Sequence, residues 1–146
     1  MTPAELAALV CGPGYHDVPS WPSSTQPSDW RPVTTVAVMW QESRGNPQAV
    51  GKPVLIEGHG WAVALGLCQL LTAFHVDQGP FPNVPALSVA ECFDPEVNWA
   101  RAWLVMNRGR TGWAFNLSPW SAYTSGAYKQ HLPLALSAVR SLSEAQ

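Results

Sequence analysis

The chain has 146 residues, of which 47% are hydrophobic and only 12% charged, a globular balance that excludes an intrinsically disordered chain. Its net charge of −2, without any basic run, excludes a nucleic-acid footprint or a basic membrane patch. No stretch reaches the roughly 18 consecutive apolar residues of a membrane span.

The length is that of one domain, so residues 1–146 are expected to form a single domain: an N-terminal helix with a Pro-rich arm over 1–28, then a core over 29–146. Thr2-Pro3-Ala4-Glu5 is a capping box with proline at the first helical position, which predicts a helix to about Val10. Gly12, Pro13 and Gly14 stop it, and Pro19, Pro22 and Pro27 continue the loop or arm. The N-terminus has no basic n-region and carries Glu5, so a secretory signal is not expected.

From about Asp29 to Ser43 the pattern is helical, with Val33, Val36, Val38, Met39 and Trp40 apolar almost all round, as in a buried helix. Arg44-Gly45-Asn46-Pro47 ends it. Residues 48–71 mix β-branched and glycine residues and predict a small irregular sheet. A Pro-rich loop follows over 79–85. Asp94-Pro95 opens a helix to about Arg108, expected to be central because Val97, Trp99, Ala100, Trp103, Leu104 and Met106 cover most of its surface. Ser118-Pro119 predicts another helix, ending near Gly126, and Leu132-Pro133 opens a last one to about Leu142. The fold class is therefore mostly α (α+β), with a small β element inserted after the first buried helix.

Chemistry concentrates at Glu42. It stands at the C-terminal end of the buried helix, where burial and the negative end of the helix dipole both disfavour a charged carboxylate. Both effects suit a general acid at neutral pH. The three cysteines, Cys11, Cys68 and Cys92, are an odd count without CxxC spacing, and no HExxH occurs. No disulfide framework, metal site or cofactor is expected from them. A Ser or Cys hydrolase lacks a GxSxG motif, and His59 and His75, the candidate partners, read as structural.

The string Met39-Trp40-Gln41-Glu42-Ser43-Arg44-Gly45-Asn46-Pro47-Gln48-Ala49 resembles the E-S-x-x-N-P-x-A signature of the lytic transglycosylase and goose-type lysozyme superfamily. Ala64-Leu65-Gly66-Leu67-Cys68-Gln69-Leu70 resembles its G-A-x-G-L-M-Q-I segment, Asp94-Pro95-Glu96-Val97-Asn98 its D-P-x-x-N-I helix start, and Ala122-Tyr123-Thr124-Ser125-Gly126 its A-Y-N-A-G segment. The four pieces keep their order across residues 39–126, about 60% of the chain. Cys68 stands where the family has Met, and Thr124-Ser125 where it has Asn-Ala.

That resemblance implies a lysozyme-like fold and cleavage of the glycan strands of bacterial peptidoglycan, without cofactor. Glu42 would be the catalytic acid supported by Ser43, with the Tyr123 side chain reaching towards it. Gly66 would permit close approach to the sugar, and Gln69 suits an N-acetyl group. Asn98 is expected to hold buried backbone. The eight tryptophans suit sugar stacking as well as core packing.

A one-carboxylate mechanism gives a 1,6-anhydromuramyl product. Should Glu57 face Glu42, a two-carboxylate hydrolytic muramidase is the alternative. A non-catalytic wall-binding or structural component of a phage tail or injection device is the reading from another class. Without a secretory signal, the expected route to the wall is a phage virion or release by lysis, with a tail or injection-machine assembly as the partner it implies.

Overall fold

The computed structural model describes residues 1–12, 31–106 and 116–144. In chain order its elements are α1 (Pro3–Val10), α2 (Arg31–Ser43), β1 (Val54–Ile56), β2 (Gly60–Ala62), β3 (Ala64–Leu65), β4 (Leu70–Leu71), α3 (Thr72–His75), α4 (Val89–Cys92), α5 (Pro95–Met106), α6 (Ser121–Thr124), a 3-10 helix (Ala127–His131) and α7 (Leu132–Glu144). The expected Pro-rich arm, and the start and end proposed at Asp29 and Arg108, lie outside the described residues.

The chain divides into two compact units, Met1–Gly45 with Met106–Gln146, and Asn46–Val105. In the first, α2 packs against α1, α6, the 3-10 helix and α7, and α1 packs against α7. Every residue of α2 from Pro32 to Met39 is buried, as its all-round apolar pattern demands. Thr34 and Thr35 are buried with them, and the Thr35 hydroxyl donates to the Arg31 carbonyl at 2.7 Å, so no polar group is stranded there. The capping box at Thr2 and Glu5 is formed as expected, and Leu6, Ala7 and Val10 supply the buried face of α1. Two left-handed residues end α2, Arg44 at φ 54° and Gly45 at φ 75°. A β-carbon on Gly45 would run into the Met1 carbonyl and lie 2.8 Å from the Trp40 ring, so glycine is the residue that fits there.

The second unit holds two separate two-stranded antiparallel ribbons. β1 pairs with β2 in the register Val54–Ala62, Leu55–Trp61 and Ile56–Gly60, and β3 pairs with β4 through Ala64–Leu71 and Leu65–Leu70. The expected small sheet is thus two short ribbons. Two one-turn helices follow that the pattern did not suggest, α3 and α4; α4 is opened by a second capping box, Ser88 with Glu91.

Two expectations need correction. α5 is not apolar-buried all round: Trp99, Ala102 and Met106 are buried, but Ala100 and Leu104 are exposed. Its buried face includes two polar residues, Asn98 and Arg101, whose partners are described below. α6 begins at Ser121 and not at Ser118-Pro119. Both the N–H and the hydroxyl of Ser118 donate to the Asn116 side-chain oxygen, at 3.0 and 2.6 Å. An Asx turn uses the groups that would have capped a helix.

Candidate active site

The burial of α2 is interrupted in its last turn: Met39 is fully buried, whereas Trp40, Gln41 and Glu42 are half-buried. The Glu42 side chain leaves the helix there and its Oε1 accepts the Ala122 N–H at 3.3 Å. Ala122 lies in the first turn of α6, where N–H groups have no partner inside the helix, and the Trp120 N-cap supplies no side-chain acceptor. Glu42 fills that role from another helix. Burial pushes the Glu42 carboxyl above its ordinary pKa, and the Ala122 N–H holds part of that rise back.

Around this carboxylate the first unit places a small polar cluster. Ser43 is buried, and its hydroxyl donates to the Met39 carbonyl one turn back at 3.2 Å; it fastens the end of α2. Gln41 Oε1 receives two donors, the His131 Nε2 at 2.6 Å and the Gln130 Nε2 at 3.2 Å. Tyr123 is half-buried, and its ring stacks on that of Tyr128 with centroids 5.4 Å apart and planes at 25°. A main-chain contact, the Ala122 N–H, joins this segment to Glu42.

In the second unit the residues singled out from sequence meet backbone. Gly66 sits at φ 78°, and a β-carbon there would run into the Cys92 carbonyl and the Asn98 amide nitrogen. Its need for glycine is explained by that crowding, without a sugar. Gln69 adopts φ 54°, and its side-chain amide donates to the carbonyls of Gly66 (3.0 Å) and Ala49 (3.3 Å). Asn98 holds backbone, as expected: its Oδ1 accepts the Cys68 N–H at 2.8 Å, and its Nδ2 donates to the Leu65 and Cys92 carbonyls at 3.1 and 2.8 Å. Glu57 is exposed in the turn between β1 and β2. On the same hairpin Trp61 is 72% exposed and Leu55, its cross-strand partner, 66%.

Residues 21–135 match the family model of the transglycosylase SLT domain. The chain belongs to that family. Neither the curated proteins nor the solved structures give a match. Membership makes this SLT domain a lysozyme-like α+β fold of the peptidoglycan lytic transglycosylase class, with the glycan polymer of the wall as its substrate. Among the described residues no helix is long and apolar enough to cross a membrane, and no group of three His, Cys, Asp or Glu is placed to hold a metal ion.

The remaining candidates in this SLT domain are quiet. Burial pushes the Cys11 thiol up to about 11 and raises that of Cys92, which leaves both protonated and poorly nucleophilic at neutral pH. His59 packs edge-on against Phe74 at 5.0 Å. His75 is buried, and its Nδ1 accepts from Arg101 Nη1 at 3.4 Å, while Arg101 Nη2 donates to the Pro85 carbonyl at 2.6 Å. Sequence reasoning missed the Ala122 N–H that reaches Glu42 and the Gln41–His131 hydrogen bond at the same end of α2. A main-chain donor has no side-chain signature. Gln41 was visible only as a neighbour of Glu42 in the motif, and His131 as the residue before a Leu-Pro helix start.

Proposed function

We propose that this SLT domain, acting as one domain over residues 1–146, cleaves the β-1,4 bond between N-acetylmuramic acid and N-acetylglucosamine with Glu42 as its acid and then its base. The observation that carries the reading is the environment of the Glu42 carboxyl: burial raises its pKa, and one main-chain N–H restrains it. A group that must give a proton and later recover it works best when neither form dominates overwhelmingly. With Oε1 engaged by Ala122, Oε2 carries the proton. That proton passes to the glycosidic oxygen as the C1–O bond breaks, and the glucosamine side leaves with a free 4-hydroxyl. The muramyl C6 oxygen attacks C1, and its proton returns to the Glu42 carboxylate, which closes the cycle with a 1,6-anhydro sugar. No second carboxylate enters, and proximity of the C6 hydroxyl replaces a bound water.

Ser43 acts here by fixing the last turn of α2, and Tyr123, stacked on Tyr128, by reaching from the segment that follows the Ala122 donor. Gly66 and Gln69 shape the turn that presents backbone to the glycan. Trp61 offers an exposed aromatic face of the kind on which a pyranose ring stacks, with Leu55 beside it.

Muropeptides released from purified wall, reduced with borohydride and weighed by mass spectrometry, test the reading. Anhydro ends resist reduction and are the expected product. Reducing ends that convert to muramitol would make the domain a hydrolytic muramidase, with Glu57 the first acid to test as its partner. No release at all, with retention on wall, would make it a binding module.

A further inference from the structure

The stretch from Ala122 to His131 is held to α2 at both of its ends, by two consecutive helix residues. At one end the Ala122 N–H reaches Glu42 Oε1 at 3.3 Å; at the other the His131 Nε2 reaches Gln41 Oε1 at 2.6 Å. Between them lie α6, the left-handed Gly126 at φ 79°, and the 3-10 helix. We infer that the Gln41–His131 hydrogen bond positions the Glu42 carboxyl, by fixing the segment that presents the Ala122 N–H to it. The inference rests on the proposed role of Glu42 and adds two positioning residues to it.

The shorter bond is the better anchor. At 2.6 Å it is tight, whereas the Glu42 contact at 3.3 Å is long for an N–H to a carboxylate and has little holding power of its own. Two donors, from His131 and Gln130, converge on one Gln41 oxygen, which settles the end of the amide that faces them. His131 is buried, and burial together with the Arg44 cation lowers its pKa, so the ring is neutral near pH 7 and its proton lies on Nε2 to donate. Protonation would leave Nε2–H in place, so the bond survives mild acid. Arg44 and Glu42 are the charged groups of the α2 end on this side, and neither is bonded to the imidazole among the described contacts.

Without the anchor, the 122–131 stretch relaxes and the N–H to Glu42 lengthens. The donor holds the Glu42 pKa down, so its loss sends that pKa further up. A residue that only packs would lower stability without touching the carboxyl.

The experiment measures kcat, KM and their pH profiles on soluble glycan strands of defined length for His131→Leu, Gln41→Met and His131→Gln, with the Glu42 side-chain carboxyl followed by 13C NMR titration. Expected for the first two are kcat reduced by about tenfold, KM within twofold of wild type, and an alkaline limb and carboxyl midpoint both shifted to higher pH. His131→Gln keeps a donor nitrogen at similar reach and restores most of the rate. Wild-type kcat with unmoved limb and midpoint in folded variants overturns the inference. Where His131→Leu does not fold, Gln41→Met at the half-buried position decides between the two outcomes. An active Glu42→Gln enzyme would remove Glu42 as the acid, yet the carboxyl titration, which needs no turnover, still reads whether the pair positions it.

Discussion

The two units use their signature residues differently. In the first, the motif delivers a carboxylate to a half-buried position, where it accepts one long main-chain hydrogen bond. In the second, Gly66, Gln69 and Asn98 are engaged with backbone: Asn98 alone joins three main-chain groups from residues 65, 68 and 92. The proposed function makes Glu42 a reagent, whereas the backbone contacts of Asn98 are those of a fastener, and substitution tells the two kinds apart. Replacing a reagent should change rate and spare the fold. Replacing a fastener should do the reverse.

The strongest break of that contrast would come from Glu42→Gln. It removes the transferable proton and keeps the shape, so glycan cleavage should fall by on the order of a hundredfold or more. Stability should not fall with it. The folded-state pKa of Glu42 is raised, so its contribution is favourable below the ordinary carboxylate pKa and is lost as pH rises through the raised value. At pH 8 the variant should therefore melt no lower than wild type. A lower melting temperature together with retained activity would turn Glu42 into a fastener.

Asn98→Ala is the mirror experiment. It leaves the Cys68 N–H buried without its acceptor and takes a donor from the Cys92 and Leu65 carbonyls, the latter still paired with Leu70 in its ribbon, a loss of about 2 kcal/mol or more, which is a large part of a small domain's stability. Thermal melts should show it directly. If instead melting is unchanged and only turnover drops, Asn98 touches substrate.

A subtler contrast lies in pH. Burial and the Arg101 cation lower the His75 pKa to about 4. A histidine depressed in the folded state contributes stability above its unfolded pKa of about 6.5, and that contribution drains away as pH falls towards 4. The second unit should weaken on acidification, in the opposite direction to the Glu42 effect. His75→Asn keeps an acceptor for Arg101 and cannot take up the proton, so its melting temperature should depend less on pH between 6.5 and 4. An unchanged slope would remove His75 as the source.

The smallest effect is expected for Glu57→Gln. A solvent-exposed acid in a hairpin turn should leave turnover within roughly tenfold of wild type under the one-carboxylate mechanism. A loss as large as that of Glu42→Gln would favour the hydrolytic route.

Much of the fold was legible because its signals are local. Thr2 with Glu5 and Asp94 with Pro95 announce helix starts through chemistry that acts within one turn, and the α2 apolar pattern foretells its burial. The same kind of signal misled at Ser118-Pro119, since Asn116 competes for the capping groups and no pattern ranks the two outcomes. It was overlooked at Ser88-Val89-Ala90-Glu91, where one helical turn is too short to leave a periodicity. At the site, the position of Glu42 at the end of α2 was readable and its hydrogen bond to Ala122 was not. The Ala122 donor is 80 residues away and belongs to the main chain. Gly66 and Gln69 drew attention for the sugar, while the crowding by Cys92 and Asn98, and the carbonyls of Gly66 and Ala49, become visible only once the chain is folded.

The Ala122 hydrogen bond has a consequence for how this enzyme tolerates genetic drift. A donor carried by the main chain is the same in nineteen of the twenty amino acids, and only proline lacks it. Mutation at position 122 is therefore filtered by size, because the side chain is buried, and hardly at all by the chemistry done there. Thr124 and Ser125, both exposed, are free to differ from the family's pattern without reaching that donor. The hydrogen bond to the Glu42 carboxyl is inherited through the shape of a helical turn and survives wherever the turn survives.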